Sequence, residues 1–225
     1  ISGQGIIPEG FQHYILKYDD NSAYPFAKLE YVYYRMALDA GIEMMPSELR
    51  TYDGVTHFLT QRFDREGNEK IHTQTLAAML PTSDSYEDIF SVIRRLNLPY
   101  EDSRQHFLRM VFNVTTRNVD DHSKNFSFCM NKKGIWRLSP AYDLTYSVDL
   151  TAPAYSNRHS LTINGKNEDI TREDLGTVGQ NNDIQDYNAL IDTVYNAVAK
   201  FESHARELRI DEKLIKSIQE DFIKV

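Results

Sequence analysis

The sequence predicts an α+β protein in two lobes, a small mixed lobe followed by a larger, mostly helical one, and three observations carry that expectation. Short runs rich in aromatic and β-branched residues flank one amphipathic stretch within residues 1–65. A polar, glycine-containing segment, Asp64-Arg65-Glu66-Gly67-Asn68, then reads as a connector. Beyond it, over residues 66–225, the apolar residues recur mainly at helical spacing.

Taken in order, Phe11 to Tyr18 (FQHYILKY) lies between Gly10 and Asp19-Asp20-Asn21 and reads as a strand. Residues Ala27 to Ala40 place Leu29, Val32, Tyr33, Met36 and Ala37 on one helical stripe, with Gly41 as the stop. Strands over Ser47 to Arg50 and Thr56 to Phe63, joined through Asp53-Gly54, complete a small antiparallel sheet. In the second lobe, helices are expected over His72 to Met79, Ser85 to Arg95 and Tyr100 to Thr116, with Pro81 and Pro99 as breaks. FSFCM and IWRLS flank Asn131-Lys132-Lys133-Gly134 as a β-hairpin set into this lobe, with Cys129 as a small buried side chain in its first strand. Helices close the chain over Asp186 to Leu208 and Glu212 to Phe222.

Composition narrows the function. With 25 basic against 33 acidic residues the net charge is −8, a field that repels nucleic acid, so no direct nucleic-acid contact is expected. At 41% hydrophobic residues the chain suits a globular protein, and no run approaches a membrane span. Its single cysteine excludes an internal disulfide and fits a cytoplasmic location, and the start shows no secretory signal. No two histidines have a zinc-like spacing.

The chemistry concentrates in NVDDHSKN, residues 118–125, a polar loop just before the expected hairpin. Phosphoryl transfer needs a carboxylate to orient the attacking hydroxyl and oxygen ligands for magnesium. Asp120 and Asn125 supply both types, five positions apart, the spacing of base and metal-binding Asn in a protein-kinase catalytic loop. Asp143 follows Asn125 by eighteen positions, an isolated acid among apolar and small residues, where a carboxylate calls for a cation. Lys17 ends the first strand.

DDHSKNFSF followed by LSPAYDLTYS resembles the signature of the HipA-like Ser/Thr kinases, toxin components of bacterial toxin–antitoxin modules. YILK, LEYVYYRMALDAGI, QRFDR, IHTQTLAAML and SLTINGKNEDITREDL extend the resemblance from Tyr14 to the C-terminal helices in the family's order. The resemblance implies a two-lobed protein-kinase-like fold and an ATP- and Mg2+-dependent kinase. It makes Asp120 the catalytic base, with His122 and Lys124 supporting the loop and Lys124 near the transferred phosphate. Asn125 and Asp143 would hold magnesium, and Lys17, steadied by Glu30, would hold the ATP α/β-phosphates. Gln61, Arg62 and Phe63 would lie along adenine and bond it through main-chain groups. The implied substrate is a translation component such as an aminoacyl-tRNA synthetase, and the implied partner a DNA-binding antitoxin. At the N-terminus only Ile1-Ser2-Gly3-Gln4 resembles the family's phosphate-covering loop, whose lysine is missing, and the upstream subdomain would come from another chain. Three other readings stand beside this one: a kinase-fold interaction module without catalysis, a related kinase with a lipid or small-molecule acceptor, and a metal-dependent phosphohydrolase.

Overall fold

The computed structural model describes residues 7–8, 10–20, 24–149, 153 and 157–224. Strands β1 (Tyr14–Lys17), β2 (Ser47–Tyr52) and β3 (Val55–Gln61) form an antiparallel sheet in the order β1-β3-β2. The β2–β3 turn is Asp53-Gly54, both at positive φ (49° and 82°), the backbone that a two-residue hairpin matched to strand twist requires. Helix α1 (Phe26–Asp39) buries the expected stripe, Leu29, Val32, Tyr33, Met36 and Ala37. Gly41, at φ +75°, lets the chain turn out of the helix while the Ile42 amide reaches back to the Ala37 carbonyl at 2.9 Å.

Helix α1 also faces the helical lobe. The Tyr33 hydroxyl donates to the Thr116 carbonyl at 2.6 Å, and Asp39 accepts from His204 Nε2 at 3.0 Å. One continuous apolar core therefore runs from Leu29 to Ile218.

The connector is more ordered than a plain hinge. Strands β4 (Arg65–Glu66) and β5 (Glu69–Lys70) pair as a small hairpin around Gly67. The helix expected from His72 begins later. Residues His72–Thr75 form strand β6, and only Leu76–Met79 (α2) is helical, with Thr75 Oγ1 accepting the Ala78 amide at 3.2 Å. The cause is tertiary, since β6 pairs with β7 (Ser127–Met130), which pairs with β8 (Trp136–Leu138), so the expected hairpin gains a third strand. Cys129 on β7 is half-buried, with Sγ 3.6 Å from Thr73 Oγ1.

Helix α3 (Tyr86–Arg95) starts at a reciprocal capping box between Ser85 and Asp88. Helix α4 (Tyr100–Thr116) is the axis of the lobe and is buried on every side from Gln105 to Thr116. It stops at Arg117, in left-handed conformation at φ 58°, and this reversal launches the Asn118–Asn125 loop. Helix α5 (Arg172–Asn181) was not expected from the sequence; it is capped by Thr171 and Asp174. The single helix expected over Asp186 to Leu208 is two, α6 (Tyr187–Val198) and α7 (Phe201–Glu207), separated at Ala199-Lys200, where the Lys200 amide bonds the Ala197 carbonyl three residues back at 3.1 Å. Helix α8 (Glu212–Asp221) closes the chain. Among the described residues no helix is long and apolar enough to cross a membrane.

Candidate active site

A cleft of about 310 Å³ opens between the small sheet and the segment Ala141–Asp143. Its walls are largely apolar, from Ile15, Met44, Met45, Phe58 and Ala141, and its polar end holds Lys17, Glu30 and Asp143. Phe63 and Tyr142 stack across it, ring centroids 5.4 Å apart. An apolar slot with charges at one end suits a flat base carrying a polyphosphate.

Lys17 Nζ lies 2.6 Å from Glu30 Oε1 and also bonds Asp143 Oδ1. The alternation of β1 turns Lys17 inward, and α1 carries Glu30 beneath it. Burial pulls the Lys17 ammonium's pKa down, but the Glu30 and Asp143 carboxylates reverse this and hold it above its ordinary value. Burial raises Glu30, and Lys17 opposes that shift only in part. Asp143 takes left-handed backbone at φ 58°, which aims its carboxylate back at the cleft. The Ala141 amide donates to the Glu43 carbonyl at 2.7 Å, fixing the approach to Asp143 from the loop after α1.

Gln61, Arg62 and Phe63 line the same cleft. The amides of Gln61 and Arg62 are engaged within the fold, with the Pro46 carbonyl at 3.0 Å and the His13 carbonyl at 2.9 Å. Phe63 keeps the amide for which the described residues offer no acceptor. The Arg62 guanidinium forms a two-pronged pair with Asp64, at 2.7 and 2.6 Å, which raises the arginine's pKa and lowers the acid's. Its charge is thus spent within the connector.

The loop residues Asp120, His122, Lys124 and Asn125 are not among those lining the cleft, but hydrogen bonds of two side chains tie their loop to the Asp143 segment. The Tyr142 hydroxyl donates to the Lys124 carbonyl at 2.8 Å, and Ser147 Oγ accepts the amides of Val119 and Asp120 at 2.7 and 3.0 Å. Asn125 Nδ2 donates to the Asp120 carbonyl at 2.9 Å, which holds the two residues on one turn. The Asp120 carboxylate is exposed, with His122 Nε2 3.8 Å away, and Lys124 is exposed. Tyr142 and Ser147 escaped the sequence reading; the only signal for Tyr142 was its place beside Asp143.

The donor set fits a magnesium–nucleotide. Asn125 Oδ1 and the second Asp143 oxygen have no protein partner among the described residues, and both are hard oxygen ligands. Two such ligands suit an ion that takes the rest of its shell from phosphate and water. No group of three or more His, Cys, Asp or Glu side chains among the described residues could hold a metal.

Residues 4–222 match the family model of the HipA-like C-terminal domain. The putative kinase Y4mE of Sinorhizobium fredii is 28% identical over 130 residues, 51% of this chain and 31% of that protein. A chain of the Shewanella oneidensis MR-1 toxin–antitoxin complex of HipA, HipB and operator DNA superposes with a TM-score of 0.71 at 17% identity, covering 92% of this chain and 56% of that one. The Helicobacter pylori proinflammatory kinase CtkA superposes with a TM-score of 0.54 at 11% identity, covering 93% and 90%. The chain therefore spans about a third of its curated relative. The fold shared with these structures is kinase-like. With the match extending over nearly its whole length, the chain belongs to the HipA-like C-terminal domain family.

Proposed function

We propose that this chain is the kinase region of a HipA-like protein and transfers the γ-phosphoryl group of ATP, with magnesium, to a serine or threonine hydroxyl. Residues 1–65 form its nucleotide-binding lobe and residues 66–225 its catalytic lobe. The observation that carries the reading is the Lys17 ammonium bridging Glu30 and Asp143 at the polar end of an apolar cleft.

Bound ATP with magnesium supplies the phosphoryl electrophile and neutralises charge on its oxygens. Lys17, held by Glu30, positions the α/β-phosphates. Lys17, Glu30 and Asp143 together carry one net negative charge, so a polyphosphate alone meets repulsion at this end of the cleft. Asp143 and Asn125 would hold a divalent cation that reverses that sign, and this supports the metal requirement. Asp120, exposed beside the cleft, accepts the proton of the substrate hydroxyl. Lys124 is free to approach the transferred group, and His122 backs the Asp120 carboxylate. Phe63 and Tyr142 flank the base, with the Phe63 amide as its main-chain donor.

The family membership supports a growth-arresting role, with a protein substrate such as an aminoacyl-tRNA synthetase, in the cytoplasm. The HipA–HipB–operator complex supports an antitoxin as partner. The family resemblance, with relatives longer than the matched region, supports a separate N-terminal subdomain chain as a further partner.

The test is titration with ATP, with and without magnesium, followed by transfer of labelled γ-phosphate. Asp143→Ala abolishes magnesium-dependent nucleotide binding, and unchanged affinity removes Asp143 from the metal site. Asp120→Asn keeps ATP binding and lowers transfer by roughly 10²–10⁴-fold. If transfer survives that change, Asp120 is not the base; if neither binding nor transfer is seen in the wild type, the domain is an interaction module.

A further inference from the structure

The two adjacent acids of the loop have opposite environments. The Asp120 side chain is 66% exposed, whereas that of Asp121 is 0% exposed. A fully buried carboxylate is costly unless its oxygens are matched by donors. Here Oδ2 accepts the Tyr86 hydroxyl at 2.6 Å and His159 Nδ1–H at 2.8 Å, and Oδ1 accepts the Ser160 amide at 2.7 Å. These donors come from α3 and from residues 159–160, both far from the loop in sequence.

The arrangement continues past Asp121. Asn113 on α4 donates to the Tyr86 hydroxyl at 2.9 Å and accepts from Asn118 Nδ2 at 3.0 Å. Asn118 Oδ1 accepts from Ser147 Oγ at 3.3 Å, and Ser147 Oγ holds the Asp120 amide. The chain of hydrogen bonds leaves the loop at Asp121 and returns to it at Asp120. Among the described residues the Asp120 carboxylate has no tight bond of its own, so its position follows from its backbone, gripped on both sides.

From this geometry, and resting on the kinase reading, we infer that Asp121 is a positioning residue: its buried carboxylate, held by Tyr86, His159 and Ser160, sets the place of Asp120 for transfer. An asparagine has the same shape, but its NH2 must face one of three donors, so one anchor is lost while the site stays filled.

The experiment is a double-mutant cycle on the full chain with γ-labelled ATP, scored as autophosphorylation and as transfer to dephosphorylated casein. Asp121→Asn lowers kcat at least tenfold and leaves the ATP dissociation constant within twofold. Added to Asp120→Asn, it lowers the residual rate no further, because it acts through Asp120. A loss that multiplies on the Asp120→Asn background, or an unchanged kcat, overturns the inference. Should Asp121→Asn fail to fold, Tyr86→Phe keeps the ring and removes one donor, and its three- to tenfold kcat loss must show the same non-additivity. If the protein transfers no phosphate, the kinase reading fails separately, and hydrogen exchange still decides this one. Either variant speeds exchange in residues 118–125 while residues 107–112 stay protected; unchanged exchange in the loop overturns the positioning role.

Discussion

Tyr142 reaches from the cleft to the Asn118–Asn125 loop: its ring stacks on Phe63 while its hydroxyl donates to the Lys124 carbonyl at 2.8 Å and lies 2.6 Å from Ser127 Oγ. One side chain thereby joins the Phe63 end of the cleft to the loop that carries Asp120 and Asn125. Ring and hydroxyl do different things, and substitution separates them. Tyr142→Phe keeps the stack and frees the Lys124 carbonyl, so kcat falls about three- to tenfold at near-constant ATP affinity. Tyr142→Ala removes the wall as well, and the KM for ATP rises about tenfold. Steady-state kinetics on both variants checks this, and equal effects on KM would refute the division.

Glu30 tests the lysine end of the cleft. Glu30→Gln keeps size and one acceptor but removes the charge that holds Lys17 at 2.6 Å, leaving Lys17 to Asp143 alone. On the proposed function, the ammonium would then compete with magnesium for that carboxylate. The expected result is a fall in kcat/KM for ATP of about tenfold and a higher magnesium requirement, read from a magnesium titration at fixed ATP. An unchanged magnesium midpoint would show that Lys17 does not contend for Asp143.

Some of this was legible in the sequence and some was not, for physical reasons. The α1 stripe and the Asp53-Gly54 turn are local signals, and the structure carries both where the pattern puts them. The strand His72–Thr75 exists through pairing with β7, more than fifty residues away, and four residues of HTQT hold no periodicity that would reveal it. Helix α5 buries Leu175, Val178 and Gly179 but few other apolar residues, so its pattern is faint beside its cap. The Lys17–Glu30 contact joins neighbours in sequence across one turn of fold, whereas the partners of Asp121 lie 35 and 38 positions away. Two adjacent aspartates look alike as letters, and only those distant partners tell them apart.

His106 makes acid stability a test of the core. Its Nε2–H donates to the Tyr86 carbonyl at 2.9 Å, and its buried Nδ1 has no partner among the described residues, so a second proton finds no acceptor. Burial, with a smaller contribution from Arg109, holds the imidazole down at about 3, against an ordinary 6.5. The folded-state value is depressed, so between these two values the unfolded chain takes up a proton that the folded chain refuses. Stability from this group is therefore intact above 6.5 and is lost as the pH falls below it, at up to about 1.4 kcal/mol per pH unit. Urea denaturation of the wild type and His106→Gln from pH 7 to pH 4 isolates it. The variant is less stable at pH 7, and the gap narrows with acid; a constant gap would mean that His106 takes up its proton as readily in the fold as in the unfolded chain.

Gly179 gives a test of how α5 meets its neighbours. A Cβ there would sit 2.8 Å from the Tyr187 Cβ and 3.1 Å from Phe107 Cε2, and the first of these cannot move without its backbone. Alanine improves helix propensity by about 1 kcal/mol, while overpacking a rigid contact costs about 1–3 kcal/mol. Gly179→Ala is accordingly expected to destabilise the protein by up to about 2 kcal/mol. Gly176, one turn earlier, supplies the contrast, because its added Cβ would meet the Tyr187 ring edge at 3.2 Å, where a small rotation of the ring relieves the contact. Propensity then prevails, and Gly176→Ala is neutral or stabilising by up to about 1 kcal/mol. The denaturant midpoint of Gly179→Ala should fall below that of the wild type, and that of Gly176→Ala at or above it. Equal midpoints would mean that α5 and α6 slide apart at little cost, and that the close approach at Gly179 is not a constraint the fold depends on.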